Sequence, residues 1–213
     1  MPRLKELGHE VTMFFANSNI DSAEEFEKRR AEAARLAEAD GVRMDSAPYD
    51  HEEWTREVAA GFENEPEKGA RCARCFRYNL GKTAAYAREH GFDAFTTSLT
   101  VSPHKVSETV FAASEDPLFM RENFKKRDGF KRSLARSAEL GLYRQQYCGC
   151  EFSRVAPLSR IFRDKGKWNA RECVSCQRAV TIGATVRPVQ DGRFQRPCGR
   201  STYTSMSSGR SPA

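Results

Sequence analysis

Apolar residues recur along the first three quarters of this chain in two alternating rhythms. His9-Glu10-Val11-Thr12-Met13-Phe14-Phe15 closes on an unbroken apolar run, which predicts a strand buried on both faces. Before it, Pro2–Leu7 reads as the end of a helix stopped at Gly8. Ser22-Ala23-Glu24-Glu25 is a capping box, with Ser22 as N-cap, and its helix should run to about Asp40 and stop at Gly41. Val42–Met44 predicts a short strand, and Asp50 caps a helix with Trp54 and Val58 on one face. Residues 61–71 form a polar loop with Pro66 and Gly69, followed by a long helix from Cys72 to His90 that ends at Gly91. Ala94–Leu99 is the next strand, and helical segments follow near 104–114 and 131–140. Strands and helices that alternate at this spacing predict an α/β domain with a mostly parallel sheet flanked by helices. A chain of this class that opens on the last turn of a helix leads us to expect a strand and a helix ahead of Met1.

The rhythm decays beyond residue 153. Residues 154–213 carry twelve Lys/Arg against three Asp/Glu, and their second half is rich in Arg, Ser, Gly and Pro. We therefore expect a domain over 1–153 and a basic, irregular, partly disordered tail over 154–213. Such positive charge suits an RNA backbone or a solvated tail equally well. Hydrophobic residues make up 39% and charged residues 30% of the chain. No apolar run reaches the roughly 18 residues a membrane helix needs, and Met1–Leu7 is too polar for a signal peptide. The expectation is a cytoplasmic protein with no membrane partner.

Chemistry enters with the seven cysteines: Cys72, Cys75, Cys148, Cys150, Cys173, Cys176 and Cys198. An odd number clustered as C-x-x-C, C-x-C and C-x-x-C favours metal binding or thiol redox chemistry over a disulfide scaffold. Cys72 and Cys75 lie at a loop-to-helix junction, where unpaired N–H groups and the helix dipole favour thiolate. By spacing alone they fit zinc, an iron–sulfur cluster, a dithiol, or two ordinary helix cysteines. Cys148-Gly149-Cys150 can converge on one metal, form a strained disulfide, or make a tight turn. Tyr147 and Phe152 beside them offer faces to a base, and Arg144 can meet a phosphate. Asn17 and Asn19 follow a strand's carboxyl end, as do His104 and Lys105, where α/β sheets place ligands. His9, His51 and His90 read as ordinary surface or helix-end residues. Cys173, Cys176 and Cys198 resemble a zinc ribbon short of one ligand.

Five ordered blocks carry a family resemblance: Phe14-Phe15-Ala16-Asn17-Ser18-Asn19-Ile20 with Glu24–Arg29, Gly69–Phe76, Phe95–Lys105, Phe124-Lys125-Lys126, and Leu142–Ser153. Over residues 1–153 the chain resembles the QueH epoxyqueuosine reductases. The resemblance implies a fold like that of the HUP and PP-loop nucleotide-binding proteins, a [4Fe-4S] cluster with an adjacent iron ion in some members, and a substrate tRNA bearing epoxyqueuosine. It implies Cys72 and Cys75 as metal ligands, alongside an adjacent Cys-Cys pair that this sequence does not contain and that we expect upstream of Met1. Cys148 and Cys150 are implied as the catalytic thiols, either as a redox dithiol or as ligands of the extra iron. Asn17, Asn19, Tyr143, Arg144 and Gln145 are the expected substrate-binding residues.

Reduction of an epoxide to an alkene consumes two electrons and two protons and releases water. No dinucleotide fingerprint is present, so an external electron donor is expected, and the resemblance implies no cobalamin. Two alternatives stand beside this reading. One is a non-catalytic remnant, truncated at its amino end, that binds RNA or metal. The other is an ATP-using PP-loop enzyme, whose Ser-Gly-Gly-x-Asp-Ser loop does not occur here.

Overall fold

A computed structural model describes residues 2–154 and 182–188 of the chain. Local signals account for most element limits. Helix α1 (Pro2–Glu6) ends at Gly8, whose φ of 79° releases the chain into strand β1 (His9–Phe15). Ser22 caps α2 (Ala23–Ala39) by accepting from the Glu25 N–H at 3.3 Å, and Gly41, with φ 58°, turns the chain into β2 (Arg43–Ser46). The helix capped by Asp50, α3 (His51–Trp54), continues as a π-helical turn over Thr55–Ala59, which buries Trp54 and Val58 together. Next come α4 (Ala70–Glu89) and β3 (Ala94–Thr97), which passes into a 3₁₀ turn over Ser98–Val101. Helices α5 (Ser107–Phe111), α6 (Gly129–Glu139) and α7 (Glu151–Arg154) follow, and β4 (Ile182–Pro188) completes the described chain.

The sheet order is β2-β1-β4-β3. β1 and β2 pair in parallel, whereas β4 pairs antiparallel with both β1 and β3. The three strands from the first hundred residues thus share one direction, as their helical crossovers require. The difference from a mostly parallel sheet comes from β4, which belongs to the stretch expected to be an irregular tail. A short segment becomes a central strand here because the facing edges of β1 and β3 offer it backbone partners along both sides. Thr185 and Val186 are buried, and Val186 packs with Leu4 and Val11. The tail cysteines Cys173, Cys176 and Cys198 lie outside the described residues, as does Ser205–Ala213.

Two helical layers cover the sheet. On one face Met13 and Phe15 pack with Phe26, Ala33 and Ala37 of α2. On the other, Phe14 stacks on Tyr86 of α4 at 4.0 Å between ring centroids, and Phe95 joins Phe76, Leu80, Ala84 and Ala87. The far edge of β3 is covered: Phe95 N–H donates to Leu118 O, and its carbonyl accepts from Met120 N–H. No helix among the described residues is long and apolar enough to cross a membrane. With β1, β2 and β3 aligned, the loops 16–22, 47–50 and 98–106 all emerge at one edge of the sheet, where crossover sheets leave room for a site.

Candidate functional site

Cys72 is the third residue of α4 and Cys75 lies one turn further on, so both thiols leave the same end of one helix. The loop before α4 serves the first of them. Lys68 adopts φ 73°, and its N–H donates to Cys72 Sγ at 3.3 Å. Cys75 points among Trp54, Val58 and Ala59, the same apolar cluster that packs against Cys150 and Phe152.

Asn79 follows Cys75 by one helical turn and is buried. Its amide donates to Cys75 O at 3.0 Å, to Cys75 Sγ at 3.4 Å and to Asn19 Oδ1 at 3.5 Å. It thereby ties the C-x-x-C helix to the loop after β1.

The C-x-C loop is brought to this point by α2. Residues 143–149 run along that helix against its direction: Tyr143 N–H donates to Glu32, Tyr143 Oη to Glu25, and Tyr147 Oη to Asp21. Every carbonyl of Cys148-Gly149-Cys150 is then engaged. Arg29 Nη1 donates to Cys148 O at 3.2 Å, Asp21 N–H to Gly149 O at 3.0 Å, and Ser153 Oγ to Cys150 O at 2.8 Å. Gly149 has φ 140°, a region that side-chain-bearing residues avoid. A Cβ there would come within 2.8 Å of Asn19 Nδ2.

Lys105 completes the cluster. It is buried, its Nζ donates to Cys148 Sγ at 3.1 Å, and the ammonium lies 5.3 Å from the Phe76 ring centroid. Burial, the largest single influence, would lower its pKa, but the Cys148 sulfur together with Cys72 and Cys75 outweighs it and the net displacement is upward. Burial, followed by the neighbouring Cys148, pushes the Cys150 thiol up to about 11. The same two influences raise Cys75 further.

The four described thiols, all free, thus meet at the carboxyl edge although the two pairs lie far apart in sequence. No three His, Cys, Asp or Glu side chains among the described residues are placed to hold a single metal ion. The donor set is nonetheless chemically suited to iron–sulfur binding. It consists of soft sulfur donors crowded where their ionisation is costly, a cost that a cationic centre would offset.

The sequence-predicted substrate residues divide into two groups. Asn17, Asn19 and Gln145 are buried, and Asn17 Oδ1 and Gln145 Oε1 have no hydrogen-bond partner. Tyr143 is engaged with α2, its ring lying under Lys28 Nζ at 3.6 Å, while Arg144 is exposed. His51, read as ordinary, has Nδ1 at 2.9 Å from Ser18 O and Nε2 at 3.6 Å from Glu151. Asn79 and Arg29 were missed by sequence reasoning. The signal for Asn79 was its i+4 spacing from Cys75. Arg29 was hidden in a charged stretch that reads as a solvated helix face.

The fold and the site define an α/β protein with cysteines gathered at the carboxyl edge of its sheet. The comparisons are more specific. The family model described as "Epoxyqueuosine reductase QueH" matches residues 1–156, and the chain belongs to that family. It is 38% identical over 156 residues to the epoxyqueuosine reductase QueH of Streptococcus pyogenes serotype M1, covering 68% of this chain and 61% of that protein. With the protein of the same name from Haemophilus influenzae it shares 34% over 168 residues, covering 76% and 65%. With that of Acinetobacter baylyi it shares 36% over 175 residues, covering 79% and 76%. The chain therefore spans somewhat under two thirds of the first two of these relatives.

Proposed function

We propose that this chain acts as an iron–sulfur oxidoreductase that reduces epoxyqueuosine to queuosine at the wobble position of tRNA. The observation that carries the proposal is the meeting of two separate cysteine pairs around one buried lysine, beside buried amides that still have free acceptors. Family membership supports this substrate class. Cys72 and Cys75 would hold a [4Fe-4S] cluster, with an iron ion beside it. When bound, such a centre supplies electrons singly and Lewis acidity at an open iron.

The remaining roles fall to this chain's own side chains. Asn17, Asn19 and Gln145 would orient the modified nucleoside through their buried carboxamides, leaving Arg144 for a phosphate. Cys148 and Cys150 would supply protons and electrons as the carbon–oxygen bonds break and water leaves. An external donor would restore the electrons.

The test is anaerobic reconstitution with iron and sulfide, followed by conversion of tRNA bearing epoxyqueuosine under a chemical reductant. Cys72 and Cys75 are two of the four thiolates such a cluster normally takes. The 213-residue chain alone is expected to hold it weakly, and a longer chain carrying an adjacent cysteine pair to hold it firmly. Cys72→Ala should remove bound iron and conversion together, and Cys148→Ser conversion alone. Failure of the longer chain to convert substrate, or iron binding indifferent to Cys72→Ala, would overturn the assignment.

A further inference from the structure

Lys105 is a buried ammonium with no carboxylate at ion-pair distance among the described residues. Its side-chain contacts are the Cys148 sulfur and the face of Phe76. The backbone beneath it is held firmly: its N–H donates to Ser102 O at 3.3 Å, and its carbonyl accepts from Lys125 Nζ, which also reaches Ser107 Oγ at 3.1 Å. The amine is therefore delivered to one sulfur by a locked turn. Burying an unpaired charge is costly, so this lysine must draw its compensation from an electron-rich neighbour. Cys148 is the sulfur in reach, and its own carbonyl is held by Arg29.

We propose that Lys105 is a positioning residue that holds the Cys148 sulfur and stabilises its reduced form against oxidation. The inference rests on the reading that Cys148 takes part in electron transfer. Its chemistry is an exchange. The reduced Cys148 sulfur attacks glutathione disulfide, a bond forms between Cys148 and one glutathione, the glutathione S–S bond breaks, and one glutathione thiol leaves reduced. If Cys150 then attacks that mixed disulfide, a second glutathione leaves and an internal disulfide remains. In either product the Cys148 sulfur can no longer carry a thiolate's charge and accepts a hydrogen bond less well, so the contact with the ammonium is weakened. Lys105 therefore biases the equilibrium toward the reduced thiol, as stabilisation of a reduced form does in strongly oxidising dithiol proteins.

The experiment uses the full 213-residue chain, stripped of metal and equilibrated anaerobically in glutathione buffers of graded ratio. Quenching, alkylation and mass spectrometry of the Cys148 peptide give its oxidised fraction, whichever disulfide forms. K105M, nearly isosteric and uncharged, should shift the Cys148 exchange constant at least tenfold toward oxidation, about 30 mV for a two-electron couple. K105R should stay near wild type. A K105M chain that titrates like wild type, a shift equally large at Cys75, or a K105R chain that behaves like K105M would each overturn the proposal. No tRNA enters the measurement. A shift in a chain that fails to reduce epoxyqueuosine sinks only the function proposed above, and an unshifted couple in an active chain sinks only this inference.

Discussion

Replacing Gly149 with alanine isolates what holds the C-x-C loop. Two costs combine there. A backbone φ of 140° is one that alanine rarely adopts, and strain of that kind runs to about 1–3 kcal/mol. The new methyl would also lie 2.8 Å from Asn19 Nδ2 and 3.3 Å from both Arg29 Nη1 and Ile20 Cγ1. Ile20 and Arg29 are buried and cannot swing away, so overpacking adds about another 1–3 kcal/mol. Gly141→Ala provides the comparison: its φ is 58°, but nothing lies within 4 Å of the added Cβ. It should lose only about 1–2 kcal/mol of backbone preference. Urea denaturation followed by circular dichroism should therefore place G149A about 2–6 kcal/mol below wild type, equivalent to roughly 4–24 °C in Tm for a chain of this size. Equal losses for the two variants would show that Asn19 and Arg29 do not close on the loop, and the argument for a rigid thiol turn would fail.

Three further outcomes follow from the same contacts. Arg29→Met should cost about 3–5 kcal/mol, because it leaves the Glu25 carboxylate, which Arg29 meets at 2.7 Å, without its buried partner; urea titration reads this, and a loss under 1 kcal/mol would contradict it. Glu53 is held below its ordinary value of 4.5, first by the hydrogen bond from Lys82 and then by that from Tyr78. A lowered carboxylate contributes its stability above the ordinary value and loses it as pH falls through the lowered one. The stability difference between wild type and Glu53→Gln should therefore be present at pH 7 and shrink by pH 3, and a constant difference would count against the cluster. Val186→Asp would bury a charge beside Leu4 and Val11 and should destabilise the chain by at least about 3 kcal/mol; an unaltered thermal transition would show that Ile182–Pro188 is not needed in the sheet.

Much of the fold could be read from the chain because the relevant signals are local. Ser22 with Glu25, Asp50, and the glycines at 8, 41 and 91 act within a few residues of the ends they set, and the apolar run of β1 reports its own burial. Capping and periodicity need only i to i+4 contacts, so a linear sequence carries them. The two cysteine pairs were likewise visible as motifs, and their spacing with the surrounding blocks pointed to one family.

What the linear sequence could not show depends on residues that meet only after folding. Arg29 looks like one charge among many on a helix surface, and it becomes a buried clamp because residues 143–149 lie along α2 and shut out water. Lys105 was legible only as a residue following a strand end; the locked turn between β3 and α5 turns it inward to Cys148. Ile182–Pro188 carries no strong strand rhythm, yet it pairs on both sides between β1 and β3. Each of these outcomes turns on desolvation or on backbone pairing between distant segments. Both are properties of surfaces brought together in space, so neither leaves a period in the sequence.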